Sequence, residues 1–136
     1  MAHTPSFSTQ RHFWAPTWRL LEQGHPNVLI CAATPLALVL VATMYLGLRQ
    51  PVQIQKSWSR TNAPTNGTLV LDGVDMLDMG EQRELFAWLH ATHETVQVVS
   101  LTTRPIFPLV TQGLFLDALY YRLNTIFVDT EAPDAG

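Results

Sequence analysis

Five short runs of apolar residues recur along the chain, each bounded by polar or turn-forming residues. The runs begin at Val28, Val52, Leu69, Val96 and Ile126. The run at Leu69 lies between the turn-rich stretch 62–67 and Asp72, which is typical of a buried parallel strand that carries an acid at its carboxyl end. Helical patterns separate the runs. This alternation predicts a three-layer α/β fold, in which a parallel sheet has helices on both faces and right-handed crossovers.

Two stretches have the start or stop signals of amphipathic helices. Trp14, Trp18 and Leu21 fall at i, i+4 and i+7, with Gly24 just past the end, which predicts a short helix before the first strand. Residues 78–81, Asp-Met-Gly-Glu, form a capping box, in which the aspartate accepts from the helix amides and the glutamate reaches back. This box predicts a longer helix after the third strand.

The stretch from Val28 to Leu48 contains no charged residue and is long enough to span a bilayer. Thr34-Pro35 divides it into a β-type run and a helical run, Leu36 to Leu48, because the residue before a proline disfavours helix. This helix is apolar on nearly every face, so we expect it to be buried all round, in protein or in lipid. Burial in protein is the leading interpretation, and a membrane-anchored protein is the alternative.

Composition limits the classes of function. The 136-residue chain has a net charge of −3 and only eight lysines and arginines, scattered without a basic stripe, so direct nucleic-acid binding is not expected. Cys31 is the single cysteine, which excludes an intrachain disulfide and agrees with a cytoplasmic location. We expect one core domain at residues 13–130, with tails at residues 1–12 and 131–136.

A twelve-residue segment near the C-terminus has a distinctive sequence. Residues 113–124, Gly-Leu-Phe-Leu-Asp-Ala-Leu-Tyr-Tyr-Arg-Leu-Asn, resemble the Gly-x-Phe-Arg-x-Asp-Leu-Tyr-Tyr-Arg-Leu-Asn segment of the sigma-54-dependent transcription activators, the bacterial enhancer-binding proteins. In register with it, residues 96–104 are similar to the sensor strand of that family, and residues 27–30 to the strand before its phosphate loop. The resemblance implies an AAA+ core of the P-loop NTPase type with strand order 5-1-4-3-2. Because the chain ends after the fifth strand, we expect no helical lid domain and no helix-turn-helix.

Most catalytic positions of that family are changed in this chain. The phosphate loop of the family reads Gly-x-x-x-x-Gly-Lys-Ser/Thr, in which backbone amides and the lysine hold phosphate while the hydroxyl holds Mg²⁺. The corresponding positions here are Ala32, Ala37, Leu38 and Val39. The glycines, the lysine and the hydroxyl are therefore all missing. The resemblance implies a degenerate ATPase core that has no catalytic residues and requires no cofactor.

Two positions remain as vestiges of a nucleotide site. Asp72 matches the first Walker B acid, which holds the Mg²⁺-bound water, but the second acid is replaced by Gly73, and glycine cannot act as a general base. Thr103 replaces the asparagine that orients the attacking water, while Arg104 is kept. Asp72 and Thr103 are therefore the candidates for weak binding of ATP and Mg²⁺. The simpler interpretations are a solvated or helix-capping acid at a strand end, for Asp72, and a surface turn at Arg104.

The resemblance also concerns protein contacts. Of two arginines that reach a neighbouring subunit's nucleotide in the family, the first is Leu116 here and the second is matched by Arg122, which lies at a subunit interface or caps its own helix. The family's loop that touches sigma-54, Gly-Ala-Phe-Thr-Gly-Ala, has no counterpart in the short connection 57–66. His90 and His93 share a helix face but have no third ligand near them, so no metal site is predicted.

The leading hypothesis is a non-catalytic, AAA+-like sigma-54 interaction domain that acts in transcription regulation through protein contacts, with a partner or by self-association. The first alternative is a weak nucleotide-binding module of the same family. The second alternative is the small membrane-anchored protein.

Overall fold

The computed structural model describes residues 24–130, which contain five strands in one parallel sheet. The strands are β1 (Val28–Cys31), β2 (Val52–Gln55), β3 (Gly67–Asp72), β4 (Val96–Thr102) and β5 (Ile126–Asp129). Their order across the sheet is β2-β3-β4-β1-β5, and every neighbouring pair is parallel. The predicted order 5-1-4-3-2 is the same order read from the other edge, and it is confirmed. The predicted helix at residues 14–21 and the predicted tails, 1–12 and 131–136, lie outside the described residues.

Four α-helices lie wholly within these residues: α1 (Thr34–Met44), α2 (Met79–Thr92), α3 (Phe107–Thr111) and α4 (Asp117–Leu123). Short 3-10 turns follow α1 at Tyr45–Gly47 and β3 at Val74–Met76. Helix α1 packs on one face of the sheet, whereas α2, α3 and α4 pack on the other face. Helices therefore cover both faces, as predicted, but the predicted alternation of strands and helices fails between β2 and β3, which no helix separates.

The sheet is buried on both sides because successive side chains of a strand point to opposite faces. The strand residues that face α2 and α4 include Leu29, Leu69, Leu71 and Val98. The strand residues that face α1 include Val28, Ile30, Val70 and Val99. All seven residues of β4 are buried, since this strand lies at the centre of the sheet between the two helical layers.

Helix α2 begins at the predicted capping box. The Asp78 carboxylate accepts from the Glu81 amide at 2.8 Å, and the Glu81 carboxylate accepts from the Asp78 amide at 2.9 Å. The two amides would otherwise have no partner in the first turn of the helix. The prediction for residues 78–81 is confirmed.

Helix α1 corrects one prediction. Its buried residues are Ala37, Leu40, Val41 and Met44. The opposite side is open to solvent, with exposed fractions of 42% for Leu38, 55% for Val39 and 89% for Leu46 in the following turn. The prediction of burial all round is wrong, because among residues 24–130 the helix packs on the sheet with one side only. No helix in this part of the chain is long and apolar enough to cross a membrane.

Candidate functional site

The carboxyl ends of β1, β3 and β4 meet at one edge of the sheet, where doubly wound folds place their ligands. Strand β1 ends at Cys31 and α1 begins at Thr34, so Ala32 and Ala33 are the two residues of the connecting turn. The Ala32 amide donates to the Thr102 carbonyl at 3.0 Å, and Ala33 caps α1 without a side-chain hydrogen bond. A turn of this length cannot surround a phosphate group with several inward-pointing amides, which is what a phosphate loop does.

Asp72 is the last residue of β3 and lies half-buried at the same edge. Within residues 24–130, no hydrogen bond or ion pair holds its carboxylate. The next residue, Gly73, has φ +72° and ψ +38°, a left-handed conformation that glycine adopts without strain. At this position, where the resemblance places the second Walker B acid, the backbone therefore turns into the 3-10 turn Val74–Met76.

The Thr102 side chain stabilises the turn after β4. The Thr102 hydroxyl donates to the Arg104 carbonyl at 2.7 Å and accepts from the Arg104 amide at 3.3 Å. Between them, Thr103 is exposed at the edge of the sheet. The structure therefore places Asp72 and Thr103 at the ends of neighbouring strands.

Arg104 forms an ion pair that the sequence reasoning missed. Its Nε donates to Asp75 Oδ2 at 3.0 Å, and its Nη2 donates to the Asp75 carbonyl at 3.3 Å. The Asp75 side chain is only 5% exposed, whereas that of Arg104 is 53% exposed. The arginine does lie in a surface turn, as the simpler interpretation states, but its head group joins that turn to the one after β3.

A groove of about 350 Å³ lies beside these two turns. Much of its wall is apolar and comes from Met76, Leu77, Leu109 and Leu114. The charged residues that line it are Asp75, Asp78 and Arg104, so their charges sum to one negative. Because the single arginine is already paired with Asp75, the groove offers little attraction to phosphate and suits an apolar group better.

Arg122 lies in the last turn of α4, and its head group extends towards α2. The centre of its guanidinium lies 5.8 Å from the Phe86 ring centroid, and its Nη2 lies 3.5 Å from His90 Nδ1, so the side chain rests on α2. The Arg122 carbonyl, at the end of α4, accepts from Asn27 Nδ2 at 3.0 Å. Both interpretations of Arg122, a charge that stabilises the C-terminal end of its own helix and a role at a subunit interface, stay predictions.

His90 and His93 are both exposed at the C-terminal end of α2. Their ring centroids lie 6.3 Å apart. Among residues 24–130, no group of three or more histidine, cysteine, aspartate or glutamate side chains is placed to hold a metal ion.

The connection between β2 and β3 folds back onto α2. The indole of Trp58, only 6% exposed, lies edge-on to that of Trp88 with 5.3 Å between the ring centroids. Its N–H donates to Glu84 Oε1 at 2.7 Å. The sequence reasoning missed this contact, although a lone tryptophan in a polar connection is a signal of burial.

Gln82, the fourth residue of α2, makes contacts that the sequence reasoning did not predict. Its side chain is 1% exposed and joins three backbone groups. Its Nε2 donates to the carbonyls of Leu77 and Leu114, both at 3.0 Å, and its Oε1 accepts from the Leu116 amide at 2.8 Å. The residue therefore holds the start of α2 and the start of α4 together.

Comparison with known protein families gave one match. The profile of the family described as Sigma-54 interaction domain matches residues 21–132. A comparison with curated protein sequences gave no match.

Several solved structures share the fold. NtrX from Brucella abortus in complex with ADP has a TM-score of 0.68 and 14% identity over 96% of this chain, and its complex with ATP has a TM-score of 0.66 and 15% identity over 88%. The P-loop NTPase domain of the sigma-54 transport activator from E. coli has a TM-score of 0.63 and 17% identity, over 90% of this chain and 96% of that domain. The chain spans only 36% and 35% of the two NtrX chains. At these identities the likeness concerns the fold.

Proposed function

Because this chain belongs to the Sigma-54 interaction domain family, we propose that it is a non-catalytic AAA+-like domain. It acts in the cytoplasm, in transcription regulation, through contacts with other proteins.

The two-residue turn between β1 and α1 carries the proposal. A phosphate loop needs glycines that let successive amides turn inward, a lysine for the β and γ phosphates and a hydroxyl for Mg²⁺. In this turn the Ala32 amide is already bonded to the Thr102 carbonyl, and α1 begins at Thr34 with Pro35, which has no amide hydrogen. These features support the proposal that the chain has lost the ordinary means of holding a triphosphate at this edge.

The turn after β3 supports the same conclusion. A carboxylate that polarises water has to sit next to Asp72, but Gly73 occupies that position in a left-handed conformation. An L side chain there costs about 1–3 kcal/mol of backbone strain, so a substitution that restored the acid would destabilise the fold. The paired Arg104 is also less free to reach a γ-phosphate.

A weak nucleotide-binding module is the second candidate function. One observation favours it: the Asp72 carboxylate lies half-buried at the ligand edge and, within residues 24–130, has no partner. Exposed Thr103 lies just past the end of the neighbouring strand β4 and carries a hydroxyl. This function would need the two side chains and adjacent backbone to hold Mg-nucleotide without a phosphate loop.

Steady-state release of phosphate from Mg-ATP tests the non-catalytic proposal. We expect the chain, the Asp72→Ala variant and a Glu94→Ala control, which removes an exposed acid elsewhere, to release phosphate no faster than buffer. A family member with an intact phosphate loop, assayed in parallel, shows that the conditions support hydrolysis. Release above background that Asp72→Ala abolishes and Glu94→Ala does not would identify an active ATPase.

The protein contact has two candidates, sigma-54 and a second copy of the chain. The family's name supports the first. The connection 57–66 has no counterpart of the family's sigma-54 loop, and Trp58 holds part of it against Trp88 and Glu84, so we expect contact with sigma-54 to use another surface. Sedimentation velocity of the chain, alone over a range of concentrations and mixed with purified sigma-54, separates the candidates. A monomer at every concentration that also leaves the sigma-54 boundary unmoved would contradict both.

A further inference from the structure

The groove beside the turns after β3 and β4 has large apolar side chains that are open to solvent. Met76, in the 3-10 turn after β3, is 74% exposed, and Leu114, in the connection between α3 and α4, is 58% exposed. Both side chains line the groove, together with the more buried Leu77 and Leu109. Exposed apolar side chains that line one concave surface usually mark a contact site.

Side-chain hydrogen bonds hold the walls of this groove in place. Gln82 Nε2 donates to the carbonyls of both Leu77 and Leu114 at 3.0 Å, so it fixes two lining residues from separate elements relative to each other. Arg104 Nε donates to Asp75 Oδ2 at 3.0 Å and fixes a further part of the wall. Because these bonds are made without an occupant, binding does not have to order the walls, which lowers its entropic cost.

The size and chemistry of the groove favour one large apolar side chain. Its volume of about 350 Å³ is near the lower end of the range of roughly 300–1,000 Å³ for small-molecule sites. Met76 and Met79 both line it, and the unbranched thioether side chain of methionine adapts to irregular apolar shapes. The groove therefore suits a side chain such as leucine, methionine or phenylalanine.

Charge complementarity indicates what lies next to that side chain. Asp75 is paired with Arg104, so the single net negative charge of the lining falls on Asp78, which is exposed. One oxygen of Asp78, Oδ1, accepts from an amide of α2, and a carboxylate has room for further donors. Asp78 lies between Leu77 and Met79, both of which line the groove. A lysine or arginine next to the bound apolar side chain would therefore meet this carboxylate.

We propose that the groove binds a segment of a partner protein in which a large apolar side chain is next to a lysine or arginine. The apolar side chain packs against Met76 and Leu114, and the cation pairs with the Asp78 carboxylate. This inference rests on the proposed function, since it assigns a surface and a recognition chemistry to the protein contact.

A titration followed by NMR tests the groove directly. The full chain, labelled with nitrogen-15, is titrated with the peptide acetyl-Ala-Leu-Arg-Ala-amide and with two matched peptides, in which alanine replaces the leucine or glutamine replaces the arginine. With the first peptide we expect saturable shifts of the backbone amides of Met76, Leu77 and Leu114, at a Kd on the order of 1 mM. Each matched peptide should bind about threefold more weakly or worse, because it lacks either the apolar side chain or the charge.

The variant Asp78→Asn isolates the charge, because asparagine caps a helix about as well as aspartate does. It should weaken binding of the arginine peptide about threefold and leave binding of the glutamine peptide unchanged. Met76→Ala removes apolar surface and should weaken binding of both peptides about threefold. The control is Leu46→Ala, at an 89% exposed position in the 3-10 turn after α1, which should leave both affinities unchanged.

Unchanged amide shifts, shifts confined to residues outside the groove, or equal affinities for the arginine and glutamine peptides would overturn the inference. Shifts at the groove when the chain alone is diluted would also overturn it, because a second copy would then be the occupant. A chain that forms a complex in sedimentation but does not bind the peptides contradicts this inference and not the proposed function. A chain that binds the peptides but forms no complex in sedimentation contradicts the two proposed partners and supports the recognition chemistry of the groove.

Discussion

Replacing Gln82 by leucine tests how the start of α2 is joined to the start of α4. The two side chains have similar size, but leucine can neither donate nor accept a hydrogen bond. The variant therefore leaves the carbonyls of Leu77 and Leu114 and the amide of Leu116 without their side-chain partner. Because Gln82 is 1% exposed, water cannot take its place without disturbing the packing.

Three hydrogen bonds at about 1 kcal/mol each give an expected loss of ~3 kcal/mol in the free energy of unfolding. For a chain of 136 residues this corresponds to a fall of roughly 10 °C in the melting temperature. The greater apolarity of leucine offsets part of the loss, since a buried methyl or methylene group contributes up to about 0.8 kcal/mol.

Urea unfolding monitored by circular dichroism measures this loss. The neighbouring variant Arg83→Leu makes a comparable change at an exposed position of α2 and should stay within about 0.5 kcal/mol of the wild type. If Gln82→Leu unfolds at the same urea concentration as Arg83→Leu, the three hydrogen bonds do not stabilise the fold in the way described.

Three other substitutions test the packing. Trp58→Ala removes a buried indole and should cost about 3–5 kcal/mol in urea unfolding; a loss under about 1 kcal/mol would mean that the connection does not pack on α2. Gly67→Ala, at φ +92° against the Pro51 carbonyl, should lower the melting temperature by several degrees, whereas Gly80→Ala inside α2 should raise it slightly; equal shifts would contradict the left-handed conformation. Asp78→Ala should cost about 1 kcal/mol through loss of the cap, and an unchanged melting curve would count against that cap.

Local pattern was enough to predict the strands and the start of α2. The order of the strands came from the resemblance to the family. Buried parallel strands and helix caps depend on residues within a few positions of one another, so they can be recognised from a short stretch. The exposed side of α1 could not be predicted in this way. Its sequence is apolar on nearly every face, and only its position on the sheet decides which side is buried.

Part of the candidate site could also not be predicted from residues that are close in the sequence. The missing glycines and lysine are visible in the sequence, but the two-residue length of the turn before Thr34 is a property of the fold. Asp75 pairs with a residue 29 positions away, Trp58 bonds to one 26 away, and Gln82 reaches 32 and 34 positions. The topology of the fold determines which distant residues come into contact, and the spacing of apolar residues does not specify that topology.

The central proposal, a domain that has lost its nucleotide site, is tested most directly by melting the chain in millimolar Mg-ATP. Loss of the phosphate-loop lysine alone removes a charge-assisted contact worth ~1.5–3 kcal/mol, and loss of the glycines removes further amide donors. A ligand present at 100 times its Kd stabilises a fold by about 2.7 kcal/mol and raises its melting temperature by several degrees. We expect millimolar Mg-ATP to leave the melting curve unchanged. A reproducible rise of several degrees that is lost in Asp72→Ala and kept in Glu94→Ala would contradict the proposal and establish the weak nucleotide-binding module in its place.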